Sequence, residues 1–159
     1  YSLKTRAEIE ELIKAHVGQE YLRSLQKALA EEMTFRVHGE ESLVLAQKAT
    51  QVFFGNGSEE DLRALDEVTL AASLEGMDTF NIQKEKLTEG INILDLLAVE
   101  TTIFPSKGEA RKMVLANGFS LNKTKVSDIE YSVGAADVLH GRFIIAQKGK
   151  KNYFVIALF

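Results

Sequence analysis

Pro105 is the only proline in the chain, and it fixes where one helix must end and the next must begin. A proline cannot continue a preceding helix, because it lacks an N–H and its ring clashes with the turn before it. Ser106 and Glu109 follow with the Ser-x-x-Glu spacing of a capping box, so a new helix is expected to start at Ser106. Asn117-Gly118 is its stop, with Gly118 expected in the left-handed C′ conformation. A short strand, Phe119-Ser120-Leu121, should follow, then a polar turn over residues 122–125 leading into Val126. Lys107 and Arg111 share one flank of the helix, with Lys112 further round. Ala110, Met113 and Val114 lie on the other side. Such a helix is either an ordinary amphipathic surface helix or the basic face of a binding module. Its own sequence does not separate the two.

The distribution of charge does. The net charge of −4 hides a split between the two parts of the chain. Residues 1–104 carry 10 Lys+Arg against 19 Asp+Glu, a balance of −9, whereas residues 105–159 carry 9 against 4, a balance of +5. A basic segment joined to an acidic one points to a polyanionic partner for the basic half. Apolar content of 45% and charged content of 26% are those of a globular protein, and 159 residues suffice for one medium or two small domains. No apolar run approaches the roughly 20 residues that span a bilayer, and no secretory signal opens the chain, so no membrane partner is expected. The absence of cysteine excludes disulfides, thiolate catalysis and cysteine zinc sites, and suits a cytoplasmic location. The chain opens at Tyr1 rather than at methionine, so further sequence is expected ahead of it.

The first 75 residues read as helical. Thr5 and Glu8 form a capping box ahead of Ile9, Leu12 and Ile13, and Gly18 ends that helix. A second helix is expected from about Glu20 to His38, with Leu22, Leu25, Leu29 and Met33 at helical spacing and Gly39 as its stop. A third runs from about Glu40 to Phe54, with Leu43, Ala46, either Ala49 or Thr50, and Phe53 on one face. Gly55-Asn56-Gly57 is a loop, and Ser58 caps a short acidic helix from Glu59 to about Glu67. Residues 74–90 break the periodicity. Met77 to Ile82 looks extended, and the domain boundary is placed here: residues 1–83 form a helical domain and residues 84–159 a second one. A helix over residues 91–101 prepares the Pro105 stretch. Residues 142–147 and 152–159 are β-rich, and Gly149 between them allows a hairpin with Lys148, Lys150 and Lys151 at its tip. The fold class is therefore α+β: an all-helical domain, then two helices on a small sheet that ends in a hairpin.

No catalytic constellation is visible. His16, His38 and His140 lack any ligand spacing, and His38 before Gly39 suits a helix C-terminus. There is no phosphate loop and no Gly-x-Ser-x-Gly elbow, and the glutamate pairs sit at exposed helical positions. The chain is expected to bind rather than to catalyse, without metal or cofactor of its own. Three basic clusters fall within 45 residues: Lys107, Arg111 and Lys112; Lys123 and Lys125; Lys148, Lys150 and Lys151. Few carboxylates accompany them, and the first surrounds a capped helix N-terminus, which attracts phosphate. Lysines and arginines without carboxylate partners are what nucleic-acid backbones require.

Ser106 to Met113 followed by Asn117 to Asn122 resembles the ribosomal-protein-S-four-type RNA-binding module, which has a basic helix, a glycine turn and a strand ending in Asn. Gly141-Arg142-Phe143 and Lys148 to Tyr153 are similar to its final hairpin. Residues 25–32, then Val37-His38-Gly39-Glu40-Glu41, with Ala7 to Leu12 ahead of them, resemble the helical anticodon-binding domain of the bacterial tyrosyl-tRNA synthetase family. The resemblance covers nearly the whole chain. It implies the tRNA-binding C-terminal region of such a ligase, docking tyrosine tRNA by its anticodon stem and long variable arm. It also implies that ATP and tyrosine are used by a catalytic domain ahead of Tyr1, that the intact ligase is a homodimer, and that this piece, inactive alone, binds tRNA rather than DNA. By motif, Lys107, Arg111, Lys150 and Lys151 are expected on phosphates beside the Ser106 helix start, with Lys112, Lys123, Lys125, Arg142 and Lys148 as further contacts. Two alternatives stay open at this point: the RNA-binding module of another RNA-modifying or ribosome-associated protein, and a protein–protein assembly domain.

Overall fold

The computed structural model describes residues 3–55 and 57–159. By compactness the chain divides into residues 1–48 and residues 49–159.

The first unit is helical. α1 (Arg6–His16) opens on the expected box: the Thr5 side chain accepts from the Glu8 N–H, and Glu8 accepts from the Thr5 N–H at 2.7 Å. The chain then makes a 3-10 turn at Glu20–Leu22 and passes through a left-handed Arg23, so the second helix starts at Ser24 rather than at Glu20. α2 (Ser24–Phe54) joins the expected second and third helices end to end, with Gly39 at φ 83 and ψ 177 interrupting it between them. Among the described residues of 3–48 none is buried, and Ile13, Leu29 and Phe35 are exposed.

The second unit starts in the last turns of α2 and is built on a five-stranded sheet of order β1-β7-β6-β3-β4. β3 (Phe119–Leu121), β4 (Thr124–Lys125), β6 (Phe143–Lys148) and β7 (Asn152–Leu158) are antiparallel neighbours, whereas β1 (Asp78–Ile82) adds to β7 in parallel. Residues 74–90 are thus not a plain connection. Their extended stretch supplies an edge strand, and α5 (Glu85–Thr88) follows. β2 (Ile91–Asn92) pairs with β5 (Ser132–Val133) in a second small ladder. The helix expected over residues 91–101 begins only after that strand, as α6 (Ile93–Asp95) continuing into a π-turn at Leu96–Glu100.

Side chains alternate across a strand, so the sheet has two faces to close. Ile144, Ala146, Ile156 and Leu158 point to one face and pack with Ile93, Leu96, Leu97, Phe104, Ala110 and Val114. Phe143, Ile145 and Val155 point to the other and pack with Val52, Phe53, Leu62, Leu65, Leu70 and Leu74. Fully burying each of the Val, Leu, Ile and Phe side chains among them contributes roughly 1.5–3 kcal/mol. The second face is covered by α2's last turn, α3 (Glu59–Ala64) and α4 (Glu67–Leu74), which is why compactness divides the chain at residues 48 and 49 rather than at 83 and 84. In α2 it is Ala49, not Thr50, that is buried beside Phe53. The acidic helix stops at Ala64 instead of Glu67, because Asp66 accepts from the Thr69 N–H at 2.9 Å and starts α4. Ser58 caps α3 as expected. Asn56, in the expected Gly-Asn-Gly loop, lies outside the described residues.

Candidate nucleic-acid interface

α7 (Lys107–Leu115) begins where Pro105 and Ser106 dictate. The Ser106 hydroxyl accepts from the Glu109 N–H at 3.2 Å. No return bond from the Glu109 carboxylate is found among the described residues, so only half of the expected box forms. Ala110 and Val114 are fully buried on the sheet, leaving Lys107, Arg111 and Lys112 exposed. The helix ends in a Schellman motif: Gly118 N–H donates to Met113 O at 2.9 Å and Asn117 N–H to Val114 O at 3.0 Å. The left-handed residue is Asn117, at φ 53, not Gly118 as expected. A Cβ at Gly118 would meet the Met113 side chain and stand 3.3 Å from Met113 O.

β6 and β7 form the expected hairpin, with Gly149 at φ 70 and Lys150 and Lys151 exposed in the turn. Lys148 is not at the tip. It is the last residue of β6, opposite Phe119, and is half-buried. Its ammonium donates to Ile103 O at 3.2 Å and sits 4.2 Å from the Phe104 ring centroid. Gly149 N–H donates to Gly118 O at 2.8 Å. The root of the hairpin is therefore fastened to the segment just before α7 and to the turn just after it. Two of the three basic clusters become neighbours.

The third does not join them. Asn122 and Lys123, both at positive φ, make a two-residue turn between β3 and β4, so the expected polar turn is a tight hairpin. The Lys123 ammonium donates to Phe53 O and to the Tyr153 hydroxyl, the latter at 3.1 Å, and lies 5.0 Å from the Tyr153 ring centroid. Lys125 is opposite Ser120, which is opposite Gln147. That register puts Lys125 on the sheet face away from α7. Arg142 turns to the same side, 3.8 Å from Glu67 on α4 and 5.3 Å from the Phe143 ring centroid. α3 carries Glu59, Glu60 and Asp61, and at the β4 edge of the sheet Glu59 accepts from the Thr124 hydroxyl at 2.8 Å.

Among the described residues Arg111, Lys112, Lys125, Lys150 and Lys151 have no ion-pair partner. Lys107 pairs with Asp95 of α6. That pair is solvent-exposed, and such pairs hold by only about 0–1 kcal/mol, so a phosphate can displace the carboxylate.

Asn122 is the structural residue that sequence reasoning undervalued. It is buried, its N–H donates to Ile145 O at 2.7 Å, and its side-chain oxygen accepts from the Ile145 N–H at 2.9 Å. The amide side chain replaces a backbone carbonyl in the β3–β6 ladder, which lets the backbone turn. Its side-chain NH2 donates to Asp137 O, and Asp137 accepts from the Tyr131 hydroxyl at 2.6 Å. That bond, then burial, then the Asp137 charge push the Tyr131 phenol up to about 12. No group of three His, Cys, Asp or Glu set to hold a metal is found among the described residues.

Residues 69–156 match the model of the tyrosine–tRNA ligase SYY-like C-terminal domain. The chain belongs to the tyrosine–tRNA ligase family. It is 47% identical over 149 residues to the tyrosine–tRNA ligase of Porphyromonas gingivalis, covering 94% of this chain and 35% of that protein. It is 44% identical over 151 residues to the Bacteroides thetaiotaomicron ligase, covering 95% and 35%. The Cytophaga hutchinsonii ligase is 41% identical over 158 residues, covering 98% and 37%. The chain thus spans about a third of the length of these relatives. The alternatives of another RNA-modifying or ribosome-associated protein give way to this family. No helix among the described residues is long and apolar enough to cross a membrane.

Proposed function

We propose that this chain is the tRNA-docking part of a tyrosine–tRNA ligase. It holds tyrosine tRNA by its backbone, around the anticodon stem and long variable arm, for a catalytic domain elsewhere in the intact protein. That domain would use ATP and tyrosine, and the intact protein would be a homodimer. The helical N-terminal residues contribute shape and a few side chains near the anticodon, and the basic residues 105–159 contribute charge. The observation that carries the reading is the joining of α7 to the lysine hairpin through Gly149 and Gly118, in a family whose members are tyrosine–tRNA ligases. Lys107, Arg111, Lys112, Lys150 and Lys151 are the phosphate ligands, beside the α7 start at Ser106. Helical RNA is recognised mainly by shape and backbone, so such contacts suffice without base-edge readout.

The test is a titration with tyrosine tRNA at several salt concentrations, with ribosomal RNA fragments as competitor. If about four phosphates are neutralised, log affinity falls with log salt at a slope near −3 to −4. Tyrosine tRNA should outcompete the fragments. An affinity that ignores salt would overturn the backbone-docking mechanism.

A further inference from the structure

We propose that Lys148 is a positioning residue rather than a phosphate ligand: it locks the hairpin against the start of α7 so that Lys150, Lys151, Lys107 and Arg111 present one surface to RNA. This deepens the docking reading above and rests on it. Three observations carry it. Lys148 lies on the α7 side of the sheet, opposite Phe119, where its side chain is half-buried. Its ammonium is already engaged, by Ile103 O at 3.2 Å and the Phe104 ring at 4.2 Å. Phe104 is itself buried and meets the Phe119 ring at 6.4 Å, so the anchor is a fixed wall of the core. Ile103 O belongs to the residues just ahead of Pro105 and Ser106, which set where α7 begins. Two independent ties, Lys148 to Ile103 and Gly149 N–H to Gly118 O, therefore hold the hairpin to both ends of the same helix. A charge-assisted bond to a carbonyl combined with a cation–π contact is a tie that a neutral residue cannot reproduce.

A phosphate ligand and a strut differ in one measurable respect. Removing a ligand reduces the number of counterions released and so lowers the salt slope. Removing a strut weakens binding while the slope stays as it was. The experiment compares Lys148→Met, Lys148→Arg and Lys150→Gln with the parent chain, titrating a tyrosine tRNA transcript at four salt concentrations and following exchange of the Gly149 amide. Lys148→Met keeps the length and apolar stem of the side chain. It should weaken binding about tenfold at fixed salt, the scale of one lost charge-assisted bond. The slope should remain that of the parent, and the Gly149 amide should exchange faster. Lys148→Arg, which restores donor and stacking cation, should recover most of the affinity. Lys150→Gln should lower the slope by about 0.9. The proposal is overturned if Lys148→Met lowers the slope as Lys150→Gln does, or leaves affinity unchanged. A flat salt dependence in the parent chain would instead overturn the docking reading itself.

Discussion

On the two faces of the same five-stranded sheet, α7 and the pair of α3 and α4 carry opposite charge. On one face α7 buries Ala110 and Val114 and turns Lys107, Arg111 and Lys112 to solvent. On the other, α3 and α4 bury Leu62, Leu70 and Leu74 and expose Glu60, Asp61, Asp66 and Glu67. The sheet makes the same demand of both, since each face must be removed from water. The solvent sides of the covering helices are under no such demand. Their difference in charge is therefore not set by folding, and it is the reason for proposing that RNA docks on the α7 side.

If the two faces differ only in surface charge, their cores must fail together. Leu62→Ala, on the acidic side and fully buried, should destabilise the chain by roughly 3–4 kcal/mol. Residues 49–159 should still unfold in a single denaturant transition, because the strands are shared. Two separate transitions would show that the faces are independent units. Asn122→Ala should cost about 2–3 kcal/mol in the same measurement, since Ile145 N–H loses its acceptor inside the sheet. The smallest effect concerns Tyr131, whose ring packs on the α7-side core while its hydroxyl donates to Asp137. Its proton is held up to about 12 in the folded state, against the ordinary phenol value near 10. The folded chain thus binds more protons than the unfolded chain between these values. The contribution is intact below about pH 10 and is lost as pH rises toward 12. Tyr131→Phe should flatten that part of the stability profile.

Much of the α7 side was legible in the sequence. Pro105 and Ser106 marked the helix start, Gly149 marked the hairpin, and the β-rich runs over residues 142–147 and 152–159 marked the strands. What periodicity does not carry is which distant segments cover which face. Phe53 read as part of the apolar stripe of a helical domain, because a stripe at helical spacing does not say what it packs against; in the fold it joins Val52, Leu62 and Leu70 on the sheet. β1 was legible as extended, yet its parallel partner β7 lies more than 70 residues away. The basic residues were legible as a set, but their division was not. Lys123 and Lys148 look like their neighbours in sequence, and only the fold shows their ammonium groups turned onto Phe53 O and Ile103 O. Asn117 took the left-handed position that glycine is expected to fill, because asparagine tolerates it.

The claim that one face of the sheet meets RNA is tested most directly by a matched pair of charge removals. Arg111→Gln on α7 and Lys125→Gln on the opposite face each remove one exposed cation without a carboxylate partner among the described residues. Titrated with tyrosine tRNA across the same salt series, Arg111→Gln should weaken binding and lower the salt slope by about 0.9, while Lys125→Gln should leave the slope within error of the parent. Equal losses of slope from both variants, or a loss from Lys125→Gln alone, would contradict the account.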